Sequence, residues 1–340
     1  MVKKYNVCVL GATGMVGKEM MRVLEQRNFP VNKFLPLASE RTAGSKVTFQ
    51  GKEYTVELAE PKSFAGMEIG LFSAGAKPSA ALAPEAAKHG CVVIDNTSHF
   101  RMDPNVPLIV PEVNGHALKG HKGIIANPNC STAQMVLPLK PIYDAVGIER
   151  LVISTYQATS GWGKEAIAEM YEQTKLLLDN PNAKVPVKYL PKQIAFNVVP
   201  QIDSFTANGY TKEELKMVNE TRKILEDETI RITATTVRVP VAIGHSESVN
   251  IQTKKKITAQ EVRELIGQFP TVKVVDDPQN GGYPTPIDCV GQDETLVGRI
   301  REDISIPNGI EMWIVADNLR RGAALNAVLI AERMIKDGLL

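Results

Sequence analysis

The segment that most narrows the possible folds lies close to the start of the chain. Val7-Cys8-Val9-Leu10 is a short apolar run that passes without a break into Gly11-Ala12-Thr13-Gly14-Met15-Val16-Gly17, after which Met20, Met21, Val23 and Leu24 recur at helical spacing. A strand, a glycine loop and a helix in that order form the G-x-x-G-x-x-G variant of a dinucleotide-binding turn. The glycines allow a tight turn, close approach of backbone to a pyrophosphate, and close packing of helix on strand. The phosphates then rest on the helix N-terminus. Gly11, Thr13, Gly14, Met15, Val16 and Gly17 are the expected cofactor contacts.

The next strand, 34–38, opens onto Ser39-Glu40-Arg41-Thr42-Ala43-Gly44. At this position a carboxylate suits the free ribose 2′-hydroxyl of NAD, whereas arginine and hydroxyl groups suit the 2′-phosphate of NADP. Glu40 is of the first kind; Ser39, Arg41 and Thr42 are of the second. NADP(H) is the expected cofactor, with a solvated charged turn as the competing reading. Further on, Ile69-Gly70-Leu71-Phe72 ends in Ser73-Ala74-Gly75, a helical pattern covers 79–88, and Val92-Val93-Ile94-Asp95 follows. Continuous apolar strands alternating with helices describe a parallel sheet covered on both faces. Ligands of such sheets gather beyond the carboxyl ends of the strands, which singles out Ser73, Ala74, Gly75 and the run 96–101. Within that run Arg101 reads either as an anion-binding arginine or as one more surface arginine.

A chain of 340 residues exceeds one ordinary core, so a second domain is expected. The net charge of +1 offers no footprint for nucleic acid or an anionic membrane. No apolar run approaches the roughly 20 residues needed to cross a bilayer. The opening Met1-Val2-Lys3-Lys4-Tyr5-Asn6 leads straight into the first strand, and a cleaved leader would remove that strand, so a cytoplasmic protein is expected. Four cysteines (Cys8, Cys91, Cys130, Cys289) without CxxC spacing argue against a disulfide framework and a zinc site, and no metal is expected.

Cys130 differs from the other three in its surroundings. It stands in Asn127-Pro128-Asn129-Cys130-Ser131-Thr132, between an apolar run (124–126) and a helical pattern carried by Met135, Leu137, Leu139 and Ile142. Pro128 breaks the strand and Asn129 suits an N-cap. A thiol in the first helical turn meets free backbone N–H groups and the positive end of the helix dipole, which favour a thiolate. A nucleophile and a buried core thiol are both compatible with this local pattern.

The second half supplies groups that suit such a nucleophile. The strand 151–157 ends at Gln157 and runs into Ala158-Thr159-Ser160-Gly161-Trp162-Gly163, where small residues let backbone approach a ligand. A helix over 165–178 leads to a long loop reaching residue 200. Thr211-Lys212-Glu213-Glu214 forms a capping box that opens a helix to about residue 228. Leu215, Val218 and Leu225 mark its expected buried side, and Glu220 and Lys223 fall on the opposite face, as a surface ion pair would. Arg238 lies in an alternating strand, 233–240, and His245 stands at the start of the next. Bracketed by Gly244 and Ser246, His245 is expected to be open enough to exchange protons. The stretch 309–317 reads as a strand, Asn318 follows it, and a final amphipathic helix opens at Arg320.

Taken in order, Gly11-Ala12-Thr13-Gly14-Met15-Val16-Gly17, the 39–44 turn, Asn96 to Arg101, Asn127 to Gln134, Tyr156 to Gly163, Glu220 to Lys223 and the Arg238 and His245 pair resemble the aspartate-semialdehyde dehydrogenase family over nearly the whole chain. Asn-Cys-Ser-Thr at 129–132 is the form found in that family, whereas glyceraldehyde-3-phosphate dehydrogenases show Cys-Thr-Thr-Asn. The bulky Trp162 departs from the family's small residues in its loop. The resemblance implies an α/β chain: a Rossmann-like NADP-binding domain (1–129, completed by a C-terminal helix at 320–340) and an α+β catalytic and dimerisation domain with a mixed sheet (130–319).

It further implies NADPH-dependent reductive dephosphorylation of L-aspartyl 4-phosphate to aspartate 4-semialdehyde and phosphate, in lysine, methionine and threonine biosynthesis. Cys130 would form a thioester, with Asn129 beside it, Gln157 positioning the acyl group and His245 relaying the proton. Arg238 would hold the substrate carboxylate, Glu220 its ammonium, and Arg101 and Lys223 the phosphate. Ser160, Gly161 and Asn318 would join the cofactor contacts. The expected state is a homodimer without nucleic-acid or membrane partners. A sister reductase of the N-acetyl-glutamyl-phosphate type and a catalytically silent NADP-binding regulator are the competing readings.

Overall fold

The computed structural model describes residues 3–340; Met1 and Val2, which begin the segment read above as leaderless, lie outside them. The chain first forms β1 (Tyr5–Leu10), α1 (Met15–Gln26), β2 (Val31–Ala38), β3 (Lys46–Phe49), β4 (Lys52–Thr55), β5 (Glu57–Leu58), β6 (Ile69–Phe72), α2 (Ala76–Lys88), β7 (Val92–Asp95), α3 (Pro111–Asn114) and β8 (Ile124–Ala126). It continues through α4 (Cys130–Val146), β9 (Ile148–Gln157), α5 (Lys164–Asp179), α6 (Lys212–Leu225), β10 (Arg231–Arg238) and β11 (His245–Thr253). The last stretch adds α7 (Ala259–Gly267), β12 (Val272–Val274), α8 (Pro286–Cys289), β13 (Thr295–Asp303), β14 (Gly309–Ala316) and α9 (Leu325–Lys336). Contacts divide the chain into two units. Unit 1 is the chain up to Asn129 together with Gly322–Leu340, and unit 2 is Cys130–Arg321.

Unit 1 is built on a sheet of order β5-β2-β1-β6-β7-β8 in which every pairing is parallel. All four residues of β6 are buried, the mark of a strand covered on both faces. One apolar cluster joins Val7 and Val9 of β1, Met20, Val23 and Leu24 of α1, and Leu325, Val328, Ile330 and Met334 of α9. The C-terminal helix thus belongs to this core. It begins at Leu325 rather than Arg320, because residues 320–324 form a wider π-turn first.

The glycine loop explains why α1 starts where it does. Gly11 has φ +89°, and a Cβ there would lie 2.6 Å from the Ser73 carbonyl oxygen. A Cβ on Gly17 would lie 2.1 Å from the Gly11 carbonyl oxygen, so the first turn of the helix can pack on the loop only without a side chain. Gly14 caps α1 with no side-chain hydrogen bond, leaving the first-turn N–H groups to another acceptor.

Unit 2 is a mixed sheet of order β10-β9-β11-β14-β13-β12. β10 runs parallel to β9 and β12 to β13, while the β9, β11, β14 and β13 pairings are antiparallel. One face buries Leu151, Ile153, Thr155 and Gln157 of β9 and His245, Glu247, Val249 and Ile251 of β11, with α4 packed nearby. The expected capping box opens α6: Thr211 Oγ1 accepts the Glu214 N–H at 3.2 Å and Glu214 accepts the Thr211 N–H at 2.7 Å. Two side chains of α5 organise the long loop after it. Glu169 accepts the N–H groups of Lys188 (3.1 Å) and Tyr189 (2.7 Å), and Gln173 accepts those of Ile194 (2.9 Å) and Ala195 (3.1 Å). Among the described residues no helix is long and apolar enough to cross a membrane, and no group of His, Cys, Asp and Glu could hold a metal ion.

Because both backbones at the Gly11 and Gly17 contact are fixed, Gly17→Ala should cost about 2 kcal/mol or more. Thermal melts will show a lowered midpoint together with weakened dinucleotide binding; a variant as stable and as tight-binding as the parent would contradict the packing described.

Candidate active site

In unit 1 a cavity of about 480 Å³ opens beyond the carboxyl ends of the central strands. Gly11, Thr13, Gly14, Ser39, Glu40, Arg41, Thr42, Ser73 and Ala74 line it, and Thr13 Oγ1 donates to Thr42 Oγ1 at 3.1 Å. The glycine loop and the 39–44 turn therefore form one wall. Met15, Val16, Gly17 and Gly75 do not line the cavity; Gly17 serves packing, and Gly75, at φ +94°, turns the chain into α2. A cradle too tight for a Cβ, uncapped helix N–H groups and a rim arginine together fit a dinucleotide pyrophosphate and its ribose.

A polar cluster gathers at the same edge of the unit 1 sheet. Arg101 is buried rather than at the surface, donating from Nε to the Asn127 carbonyl (2.9 Å) and from Nη2 to the Asn96 carbonyl (2.9 Å). Asn127 is held by Asn96 Oδ1 at 2.6 Å and by Asn326 of α9 at 2.6 Å. The segment that ends at the buried Asn129 is thereby fixed just before Cys130 begins α4.

Cys130 is the half-buried cysteine; the other three are buried. Burial, with Asp317 adding to it, pushes the Cys289 thiol up to about 12. A hydrogen bond with Cys91, reinforced by burial, raises Cys8 well above the ordinary thiol range. Neither is a competent nucleophile near neutrality. The first turn of α4 puts Cys130 where N–H groups have no intrahelical acceptor.

Sheet register brings three further groups together. Gln157 and Arg238 end the parallel strands β9 and β10 and face each other across them, and His245 begins the antiparallel β11 at the same edge. Gln157 Nε2 donates to Ser131 Oγ (2.6 Å), next to Cys130, and to Glu213 Oε1 (3.0 Å). Ala158 binds two of the groups through its backbone: its carbonyl accepts Arg238 Nη1 at 2.6 Å and its N–H donates to His245 Nδ1 at 3.0 Å. Gly161 lies against both, since a Cβ there would fall 2.8 Å from Arg238 Nη1 and 3.3 Å from His245 Nε2.

His245 is fully buried, against the expectation of an exposed strand start. Burial first and the Arg238 charge second lower its titration to about 3, with Glu213 opposing. It is a neutral imidazole. Burial also lowers Arg238, while the negative charges of Glu213 and Cys130 resist that shift and keep the guanidinium ionised.

The acid and the lysine that approach this cluster are Glu213 and Lys216. Lys216 Nζ lies 3.1 Å from Glu213 and 3.0 Å from Asp203; burial works against its charge, but the two carboxylates outweigh it. The sequence reading assigned Glu213 to the helix cap, yet Glu214 alone does the capping. A second first-turn carboxylate beyond the one that the capping box needs was the available signal. Glu220 and Lys223 lie two turns further along α6. Glu220 is buried, on the side of Glu213, Met217 and Thr221, not on the solvent face expected for it, because both α4 and β10 pack against α6 and cover more of it than three apolar positions mark. Ser160 and Asn318 bond each other within unit 2 (2.9 Å), and Asn318 Oδ1 also accepts the Gly244 N–H (3.0 Å), steadying the turn before His245.

Comparison with known proteins bears on both units. Residues 6–121 match the family model "Semialdehyde dehydrogenase, NAD binding domain", and residues 139–321 match "Semialdehyde dehydrogenase, dimerisation domain". The chain is 55% identical to the aspartate-semialdehyde dehydrogenase of Aquifex aeolicus, covering 99% of each. It is similar to the crystal structure of aspartate semialdehyde dehydrogenase II from Vibrio cholerae complexed with ASA, at 49% identity and TM-score 0.95 over 99% of each chain. It is also similar to the Candida albicans aspartate semialdehyde dehydrogenase with NADP, at 25% identity and TM-score 0.76, covering 99% of this chain and 100% of that one.

Two variants probe this geometry. Gly161→Ala should lower kcat/KM by about tenfold or more, equivalent to at least about 1.4 kcal/mol, because Arg238 and His245 must both give way; unchanged kinetics would refute the contact. Glu247 is fully buried with neither carboxyl oxygen hydrogen-bonded, and burial holds its titration well above 4.5, although Gln134 lies close enough to pull it partly back. A folded-state value raised in this way gives stability that is full below about 4.5 and is lost as pH rises toward the folded value. Glu247→Gln should therefore gain stability relative to the parent by about 1.4 kcal/mol per pH unit above that point. Melts across pH that show a constant difference would exclude a strained ionisation there.

Proposed function

The chain belongs to the aspartate-semialdehyde dehydrogenase family, and from that premise we propose that it catalyses the NADPH-dependent reductive dephosphorylation of L-aspartyl 4-phosphate to L-aspartate 4-semialdehyde and phosphate. The observation that carries the reading is the meeting of Gln157, Arg238 and His245 at one sheet edge, with Gln157 bonded to the residue next to Cys130. An acyl-phosphate substrate needs a thiolate, a fixed donor for the carbonyl oxygen, and cations for the leaving phosphate. A small amino-acid substrate needs in addition one fixed cation and one fixed anion.

Cys130 is the nucleophile and forms the thioester, with Gln157 orienting the acyl group from the adjoining strand end. Arg238 receives the substrate carboxylate through its planar fork. Glu213 receives the ammonium in place of Glu220, and Lys216 takes the place of Lys223 as the lysine that receives the phosphate. Support for this exchange is the contact of Glu213 with Gln157 and of Lys216 with Glu213. Gly11, Thr13, Gly14, Ser73 and Ala74 hold the nicotinamide cofactor, and Ser39, Arg41 and Thr42 favour NADP over NAD. When bound, that cofactor supplies hydride. The reaction places the enzyme in lysine, methionine and threonine biosynthesis, as a cytoplasmic homodimer assembled through unit 2.

Phosphate-dependent reduction of NADP with L-aspartate 4-semialdehyde is the direct assay. Turnover is expected with it and should vanish in Cys130→Ala with dinucleotide binding intact. Turnover of an N-acetylglutamyl substrate alone would overturn the proposal. Glu213→Gln should raise KM for the amino-acid substrate by about tenfold or more, the loss of one charged contact, whereas Glu220→Gln should change it far less. The reverse order would return the ammonium site to Glu220.

A further inference from the structure

The donors of Lys216 are nearly all spent inside the protein. Its ammonium on α6 carries three N–H groups and can accept nothing. One goes to Glu213 Oε2 at 3.1 Å and one to Asp203 Oδ2 at 3.0 Å. The third has no partner among the described residues. An ammonium on a flexible stem turns freely about its last bond. Held at two of its three donors it cannot, and tetrahedral geometry then sets the direction of the third.

The two carboxylates are themselves fixed, each by its other oxygen. Glu213 Oε1 accepts Gln157 Nε2 at 3.0 Å, which ties it to the end of β9. Asp203 Oδ1 accepts the Ser204 N–H at 2.8 Å, which ties it to its own turn. That turn is anchored on both sides. Val199 and Arg238 exchange backbone hydrogen bonds of 2.9 and 2.8 Å, and the Ser204 carbonyl accepts the Lys212 N–H at 2.9 Å, where α6 begins. Asp203 has φ +68°, in the left-handed region that Asp and Asn tolerate better than other side chains. Burial works against its charge, and the Ser204 N–H and the Lys216 ammonium together outweigh burial, so its carboxyl titrates below the ordinary range. Asp203 is thereby held as a carboxylate in one orientation.

We propose that Asp203 is a positioning residue of the phosphate step: with Glu213 it clamps the Lys216 ammonium so that one N–H, in one direction, is left for phosphate. The inference rests on the proposed function, in which Lys216 receives the phosphate. In the direction that consumes phosphate, an unprotonated oxygen of the dianion attacks the Cys130 thioester. The C–O bond forms, the carbonyl electron pair moves onto oxygen and returns, and the C–S bond breaks to leave Cys130 as thiolate. No base is needed, so what the step asks of the protein is orientation. Formation of the thioester from the aldehyde involves no phosphate and asks nothing of Lys216. Because the two carboxylates already offset the charge of Lys216, the clamp serves direction rather than attraction, and its effect belongs in the rate at saturating phosphate.

Asp203→Asn keeps the left-handed backbone and the Ser204 bond and removes the acceptor for Lys216. In the full chain mixed rapidly with aspartate semialdehyde and NADP without phosphate, the burst of reduced cofactor should keep the parental rate. Saturating phosphate should then release the thioester about tenfold or more slowly, through loss of one charge-assisted contact, while the KM for phosphate does not rise. A burst slowed as much as the release, a release at the parental rate, or a raised KM with release unchanged each overturns the inference. A second readout needs no turnover. With lysine side chains labelled with nitrogen-15, the Lys216 ammonium, assigned by its loss in Lys216→Gln, should exchange protons with solvent more slowly than exposed lysines. Asp203→Asn should speed that exchange about tenfold; unchanged exchange overturns the inference whether or not the enzyme turns over. A parent that gives no burst with aspartate semialdehyde yet exchanges as expected defeats the proposed substrate and leaves the clamp on Lys216 standing.

Discussion

One peptide unit organises the chemistry of unit 2. Ala158 follows β9, is wholly buried, and presents its carbonyl to Arg238 and its N–H to His245. Backbone groups at a strand end are held by the ladder behind them and cannot swing as side chains do. The guanidinium and the imidazole are therefore set relative to the sheet itself, and each is neutralised or kept charged by what the sheet buries with it. Gly161 tightens the arrangement by packing a bare Cα against both.

Much of the fold was legible because period and punctuation agreed. Unbroken apolar runs in β1, β6 and β7 gave the parallel sheet, and the glycine loop between β1 and α1 announced its own geometry. The capping box at Thr211 is present as read. Legibility failed where burial was decided by distant partners. Arg101 looked like a surface residue until two backbone carbonyls were found to hold it, and both lie beyond its own turn. His245 looked exposed because its neighbours are Gly244 and Ser246, yet β11 enters the sheet between β9 and β14 and is covered at once. Along α6, charge and polarity suggested a solvent face for Glu220, but the buried stripe is wider than its apolar residues mark, and Glu213 is the carboxylate that reaches the strand ends.

Electrostatic balance in unit 2 follows from this burial. Arg238, Glu213, Lys216 and Asp203 form a connected run of alternating sign from the buried edge outward. Lys216 and Asp203 shift in the direction that keeps them charged, burial lowers Arg238 against the opposing pull of Glu213 and Cys130, and at His245 the pull of Glu213 is outweighed by burial and by Arg238. A neutral imidazole beside a fixed cation is the outcome of this arrangement, not an accident of one residue. Charged groups buried in this way are costly unless paired, which explains why the run ends at the more exposed Asp203.

The chain enters unit 1, leaves it at Cys130 and returns to it only at Gly322. Because α9 contributes Leu325, Val328, Ile330 and Met334 to the core around β1, the first sheet made on the ribosome stays incompletely covered until the last turn of helix has been translated. The middle unit has all its strands earlier and can consolidate while its host waits. A nascent chain of this design carries an open apolar groove for most of its synthesis, which makes the final residues the step that closes the protein against aggregation and gives the late-arriving helix an importance for folding that its distance in sequence from the glycine loop conceals.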